Sequence, residues 1–257
     1  MRIISLAVQK GGTGKTTTAV NLAAALAMQK HRVLLIDLDS QANATECLTD
    51  LTSIEPAQSI RSLFLEGRGV SALIRHSTGV PGLDFVPSHP AILIDEYFGR
   101  ITGIASHMLQ NALADLPAEY EFVLCDCPPN LMHFTRNALV ASDFLLIPVE
   151  PEPLAVDGLR QLVTAILPDI QQQNPRLALL GVAIVNRAPG TRRYIPAAAK
   201  ADIDRLVPGA RLSSEVRLDQ QLTQMRVHNQ PVFVYAPFSN GASDYQALAA
   251  EIVQRLQ

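Results

Sequence analysis

The chain has no tryptophan, three cysteines, 5% aromatic residues and 18% charged residues in a length of 257. The missing tryptophan excludes nothing by itself. The cysteines, Cys47, Cys125 and Cys127, are odd in number, and Cys125 and Cys127 stand too close along one extended segment to bridge comfortably. A disulfide framework is therefore excluded, and a reducing cytoplasm fits. No apolar run reaches the roughly 18–20 residues of a membrane span. The opening run Ile3–Val8 is broken at Lys10-Gly11-Gly12, too early for a signal peptide. Low charge with 48% hydrophobic residues excludes disorder. Lys plus Arg is 21 and Asp plus Glu is 24, a net charge of −3. Binding to nucleic acid through overall basicity is thus excluded, and any polyanion must meet a local patch.

What is present is an alternation of two patterns. Arg2–Val8, Arg32–Asp37, Leu83–Val86, Phe122–Asp126, Phe144–Val149 and Leu177–Val185 are short apolar runs, as expected of parallel strands covered on both faces. Val232–Tyr235 reads as a last strand. Helical stretches fall at Lys15–Gln29, His107–Leu116, Leu131–Ala141, Pro153–Gln172, Pro196–Leu206 and Tyr245–Leu256. The segment Thr49–His89 is less regular and reads as a short helix, a turn and the strand at Leu83–Val86. The alternation predicts an α/β fold: a doubly wound, mainly parallel sheet of about seven or eight strands with helices on both faces. No repeat or Pro/Gly-rich linker divides the chain, so residues 1–257 are expected to form one domain.

Gln9-Lys10-Gly11-Gly12-Thr13-Gly14-Lys15-Thr16-Thr17 lies between the first strand and the first helix. That context suits a phosphate-binding loop. Glycine lets successive backbone N–H groups turn toward one phosphate, and the following helix points its positive end at the same anion. Lys15 is expected to reach the β- and γ-phosphates, the Thr16 hydroxyl to hold Mg²⁺, and Thr17 to meet the α-phosphate. The loop departs from G-x-x-x-x-G-K-[ST] in having Gln9 where the first Gly would stand. Its second lysine, Lys10, folds onto its own phosphates or reaches those of another subunit.

Hydrolysis also needs a metal anchor and a group that places water. Val33–Asp39 ends a buried run with Asp37 and Asp39 in alternation, on one side of an extended chain. Phe122–Asp126 ends another in Asp126. Carboxylates at the carboxyl ends of such strands face the ligand crevice of an α/β sheet. Asp126 is the expected Mg²⁺-side carboxylate and Asp39 the candidate for orienting water. Asp37 is either part of the metal shell or a cap for the next segment.

The segments Gln9–Thr17, Asp37–Thr45 and Asp126-Cys127-Pro128-Pro129 together resemble the ParA/Soj family of partition ATPases, in the deviant Walker A group that also contains MinD. Ser142–Val149 and Pro231–Pro237 extend the likeness in the same order over nearly the whole chain. The motifs are specific for the group and much less so for the cargo. The resemblance implies ATP and Mg²⁺ as cofactors and an ATP-dependent homodimer. It implies binding to DNA without sequence preference and a ParB-like partner whose Lys/Arg-bearing arm stimulates hydrolysis. Lys10 then looks like the signature lysine that crosses the dimer. Lys15 and Thr16 look like the loop lysine and metal ligand, Asp39 like the carboxylate needed for hydrolysis, and Asp126 like the Walker B aspartate. Gly11, Gly12, Thr13 and Gly14 cradle phosphate, and Asn186 and Pro237 join the nucleotide-binding set. Ser40 and Ala42 replace the family's usual Pro and Gly after Asp39, which bears on the mobility of that segment. Plasmid or chromosome segregation is the default role, with positioning of another cellular cargo as the alternative, and the location is cytoplasmic, on the nucleoid when ATP is bound. The chain starts at its first strand, so no helix-turn-helix extension and no site-specific repressor activity are expected.

A DNA face has one candidate. Residues 181–230 hold Arg187, Arg192, Arg193, Lys200, Arg205, Arg211, Arg217 and Arg226 against Asp202, Asp204, Glu215 and Asp219. Eight minus four is +4, which leaves −7 on the remainder of a −3 chain. Arg217 resembles an arginine of the family's DNA-facing surface, and Arg192 and Arg193 are placed beside it. Two other readings are weaker. A MinD-like membrane switch needs a basic amphipathic C-terminal helix, and Tyr245–Gln257 has one Arg, one Glu and no Lys. An iron-protein relative needs cluster-bridging cysteines at distant positions, whereas Cys125 and Cys127 bracket Asp126 and read as buried strand residues. Neither a membrane nor an iron–sulfur cluster is therefore expected as a partner.

Overall fold

The computed structural model describes residues 1–9, 12–77, 79–101, 103–150, 153–185 and 195–257. Seven strands form one sheet: β1 (Arg2–Leu6), β2 (Val33–Asp37), β3 (Arg75–His76), β4 (Leu83–Val86), β5 (Phe122–Asp126), β6 (Phe144–Val149) and β7 (Ala178–Ile184). Their order is β3-β4-β2-β5-β1-β6-β7, with every neighbouring pair parallel except β3 with β4. The helices are α1 (Lys15–Met28), α2 (Asn43–Glu46), α3 (Ile60–Glu66), α4 (Ala91–Tyr97), α5 (Met108–Ala112), α6 (His133–Ala141), α7 (Pro153–Gln161), α8 (Leu167–Gln173), α9 (Ile195–Leu206), α10 (Met225–His228), α11 (Val232–Tyr235) and α12 (Asn240–Arg255).

The strands are apolar on both faces because both faces are covered. Leu34, Ile36, Val123, Cys125, Leu145 and Ile147 enter one core with residues of α3 and α5 to α9. Their alternates Leu35, Leu124 and Leu146 enter the other, with α1 and α12. Helix α1 is buried along most of its length, and the run Ala23–Ala27 lets it lie close to the sheet and α12. The Tyr245 hydroxyl meets the Thr18 hydroxyl at 3.1 Å across that junction. The apolar side of α12, including Tyr245, Leu248 and Ile252, is thereby buried. No described helix is long and apolar enough to cross a membrane.

Several expectations need correction. Val232–Tyr235 is a helical turn, not a strand. Pro231 sets up its first turn, the Val232 N–H is taken by Asn21 Oδ1 at 3.0 Å, and Val232 and Phe233 pack against α1. Tertiary packing here overrides the β-propensity of four branched and aromatic residues. The far edge of β7 is covered instead by an extended segment, with Val182 N–H on Ala210 O and Leu212 N–H on Val182 O, both at 2.9 Å. The predicted helix over 153–172 is interrupted by a π turn at Leu162–Ile166. Pro168 lacks an N–H and would crowd the carbonyl of Thr164, and a widened turn removes both problems. Helix α12 starts five residues earlier than expected, because Ser239 caps it by accepting the Ala242 N–H. Among the described residues between 49 and 89 lie α3, three short 3₁₀ turns and the two-residue β3, besides the expected β4.

Candidate functional site

Three chain segments converge at the carboxyl ends of β1, β2 and β5. The turn after β1 passes through Gly12 (φ 77°) and Gly14 (φ 72°), both left-handed, and enters α1 at Lys15. A side chain at either position would strain the turn. No side chain caps α1 and no acid lies in its first turn. Its N-terminus therefore keeps its attraction for an anion. Lys15 is 7% exposed. Burial lowers its pKa, against the opposing pull of Asp126, Cys127 and Asp39. Asn21 ties this loop to the C-terminal part of the chain, donating to the Thr17 carbonyl at 2.8 Å while accepting from Val232.

Asp126 and Asp37 face each other in register on adjacent parallel strands. Asp126 is fully buried, and among the described residues neither carboxylate oxygen has a partner within good hydrogen-bond geometry, although the Thr16 hydroxyl stands near enough to favour its charged form. Burial first, and the charge of Asp37 second, push its pKa well up, while Thr16 and Lys15 hold it down. An orphaned buried carboxylate is costly unless a cation meets it. With the Thr16 hydroxyl beside it, the donor set is hard oxygen and fits Mg²⁺. Among the described residues no group of three or more His, Cys, Asp or Glu could hold a metal. One carboxylate plus a hydroxyl is what Mg²⁺ uses when phosphates supply further ligands.

Asp37 and Asp39 do not stay in strand alternation, since β2 ends at Asp37. Asp37 accepts the Thr45 N–H at 2.8 Å, the Thr45 hydroxyl at 2.7 Å and the Asp39 N–H at 3.1 Å. These are the bonds of a cap, the second of the two roles open to it from the sequence. Burial nevertheless pushes its pKa up to about 7. Asp39 is 7% exposed and accepts the Gln41 N–H at 3.0 Å.

Ala42 closes this turn in a left-handed conformation, φ 55°, and is fully buried. A Cβ there costs about 1–2 kcal/mol. The strain sits three residues from Asp39, where the family resemblance expects glycine. Ala42→Gly is expected to stay within about 1 kcal/mol of the parent in urea unfolding, because relief of strain offsets the lost methyl and the added chain entropy. Ala42→Val is expected to lose about 3 kcal/mol through a β-branched clash in the same place. A valine variant of full stability would contradict this backbone geometry.

A cleft of about 450 Å³ lies over these groups. Gly12 through Thr17 and Asp39 form one side, as expected from sequence. Gln41, Asn43 and Cys47 continue the wall beyond Asp39, and Leu218, Asp219, Leu222, Met225 and Arg226 form the other. That second wall was not foreseen, because it follows the loop by some 200 residues and carries no motif. Asp219 shapes it, accepting the Gln221 N–H at 2.9 Å and the Gly241 N–H at 2.8 Å.

Other expected residues fall elsewhere. Lys10, Gly11, Asn186, Arg192 and Arg193 lie outside the described residues. Pro237 is exposed and does not line the cleft. Cys125 and Cys127 sit in the core on the sheet face opposite Leu124, with thiols pushed up by burial, that of Cys125 to about 12. Arg217 makes a two-pronged ion pair with Asp244, Nη2 to Oδ1 at 2.7 Å and Nε to Oδ2 at 2.9 Å. The other described cations of 181–230 are also paired: Lys200 with Glu215, Arg205 with Asp202, Arg211 with Asp204 and Arg226 with Glu46. Asp244 and Glu46 come from outside the segment, so its surplus of positive charge is partly balanced in three dimensions.

Residues 1–179 match a family model described as an AAA domain. The chromosome partitioning protein ParA of Myxococcus xanthus is 34% identical over 99% of this chain and 88% of that protein. The sporulation initiation inhibitor protein Soj of Bacillus subtilis is 32% identical over 98% of each. Among solved structures, cobyrinic acid a,c-diamide synthase from Mycobacterium smegmatis with bound ADP and magnesium is 27% identical, with a TM-score of 0.79 over 100% of this chain and 95% of that one.

Proposed function

The chain belongs to the ParA/Soj family of partition ATPases, and from that premise we propose that it hydrolyses ATP to switch on and off a DNA-bound dimer that segregates a plasmid or chromosome. The observation that carries the reading is the orphaned Asp126 carboxylate beside Thr16 and Lys15, under a cleft walled by the phosphate loop and Asp39.

The residues divide the work as follows. The backbone of Gly12 to Gly14 and the N-terminus of α1 receive the phosphates. Lys15 is a buried cation that reaches the β- and γ-phosphates. Thr16 and Asp126 would hold Mg²⁺, which would supply charge neutralisation for phosphoryl transfer. Asp37 holds the 39–45 segment in place through Thr45. Asp39 orients a water for attack on the γ-phosphorus, as the bond to the β–γ bridging oxygen breaks and ADP leaves. Lys10 acts across the dimer on the partner's phosphates, and Asn186 meets the base. A ParB-like protein accelerates hydrolysis and so release from DNA.

The DNA face is built on Arg192, Arg193 and Arg217. The Asp244 partner of Arg217 weakens its claim as a free phosphate contact, so Arg192 and Arg193 carry more of it. The expected result is DNA binding that requires ATP and ignores sequence. With about four phosphates neutralised, affinity should fall on the order of a hundredfold between 50 and 200 mM salt. Fluorescence anisotropy of labelled duplexes with ATP or ADP reads this directly, and equal binding with ADP would overturn the switch.

A further inference from the structure

Arg226 lines the nucleotide cleft on one side and, on the other, a second cavity of about 550 Å³. The second cavity is walled by Glu46, Asp50, His89 and Asn229 among others. The Arg226 guanidinium pairs with Glu46, the last residue of α2, and the next residue, Cys47, faces the nucleotide cleft. The ion pair thus spans the partition between the two cavities. It joins the segment that follows Asp39 to a helix 180 residues further on.

That junction does not depend on the ion pair alone. Asn229 sits in a left-handed turn, φ 49°, and its amide donates to the Glu46 carbonyl at 2.7 Å and the Thr49 carbonyl at 3.1 Å. The wall is held by these bonds whether or not Arg226 stays on Glu46. The side chains of Arg226 and Glu46 are 57% and 26% exposed. A pair so open to water is weak, and a stronger anion can take the guanidinium. Among the described residues lining the cleft, Lys15 and Arg226 are the two cations, one from the start of α1 and one from α10. A polyphosphate is the anion best matched to a guanidinium fork.

We propose that Arg226 is a further nucleotide-binding residue, held in reserve by Glu46, and that its guanidinium leaves Glu46 for the phosphate oxygens when MgATP fills the cleft. Glu46 is then a competitor of the nucleotide. The inference rests on the ATP-binding reading above. It goes beyond that reading in assigning a residue outside every motif, and in giving the segment after Asp39 a direct sense of whether the cleft is full.

The test is the affinity of the full chain for MgATP, by calorimetry, in the parent, Glu46→Gln, Arg226→Met and the double variant. Glu46→Gln removes the competing charge and should bind about three- to fivefold tighter. Arg226→Met should bind at least fivefold more weakly, and the double variant should match it. A purely structural pair predicts the same sign for both single variants, since each loses the same contact. Equal signs, or no change in either single variant, overturns the proposal. So does tighter binding from Glu46→Gln with Met at position 226, which would be a field effect of Glu46 alone. A parent that binds no ATP would instead overturn the ATP-binding reading, so the two failures are distinguishable.

Discussion

Lys15→Ala is expected to weaken MgATP binding by about 10²–10⁴-fold, enough to remove a measurable heat in calorimetry at ordinary concentrations. The ammonium is expected to make charge-assisted hydrogen bonds to two phosphate groups, each contributing about 1.5–3 kcal/mol. The site makes this loss larger than at an exposed lysine. Lys15 is buried, and burial lowers its pKa, so the protein holds a poorly hydrated cation at the start of α1. The same fact predicts the effect on stability. Removing the buried cation leaves the desolvated Asp126 without the lysine that offsets its charge, and breaking a buried pair in this way costs about 3–5 kcal/mol. The variant should therefore melt well below the parent in the absence of nucleotide, by roughly 10 °C. An affinity within tenfold of the parent would refute the phosphate-loop assignment.

Asp39→Ala is expected to separate binding from turnover. Its carboxylate accepts the Gln41 N–H at the edge of the cleft and takes no part in the apolar core. Nucleotide affinity should change less than about threefold, because the phosphate loop and the Asp126 site are untouched. Turnover should fall by about 10²–10⁴-fold, the range for removing a group that positions or deprotonates the attacking water. The ATP-loaded dimer should then persist, visible as a doubled mass in light scattering and as retention on DNA in ATP. Phosphate release at the parent's rate would end the assignment of Asp39. The two variants are expected to bracket the proposed cycle: one should fail to load and the other to reset.

How much of this was legible in the sequence depends on the range of the interaction. The proposed phosphate loop was legible because its geometry is local. Gly12, Gly14, Lys15 and Thr16 are placed by backbone geometry and the start of one helix, all within a few residues. Asp126 was legible because a strand covered on both faces has an apolar run that a lone carboxylate interrupts at its end. Asp37 was legible in place but not in role. Whether its oxygens met a metal or Thr45 depended on where α2 turned back, and that turn needed Ala42 in a conformation alanine seldom adopts. Val232–Tyr235 was misread because its composition favours a strand, while Asn21, over 200 residues earlier, takes the N–H that a ladder would use.

The sequence by itself determined the sheet, the loop and the carboxylates at strand ends, since period, glycine placement and strand termination are encoded between near neighbours. Tertiary structure alone decided the second wall of the cleft and the distribution of positive charge. The +4 count over 181–230 was correct as arithmetic, yet Arg217 meets Asp244 and Arg226 meets Glu46, both from outside the segment. Charge is written in the sequence one residue at a time, but its effect depends on separation through a low-dielectric body. Separations between residues 46 and 226 exist only once the chain has folded.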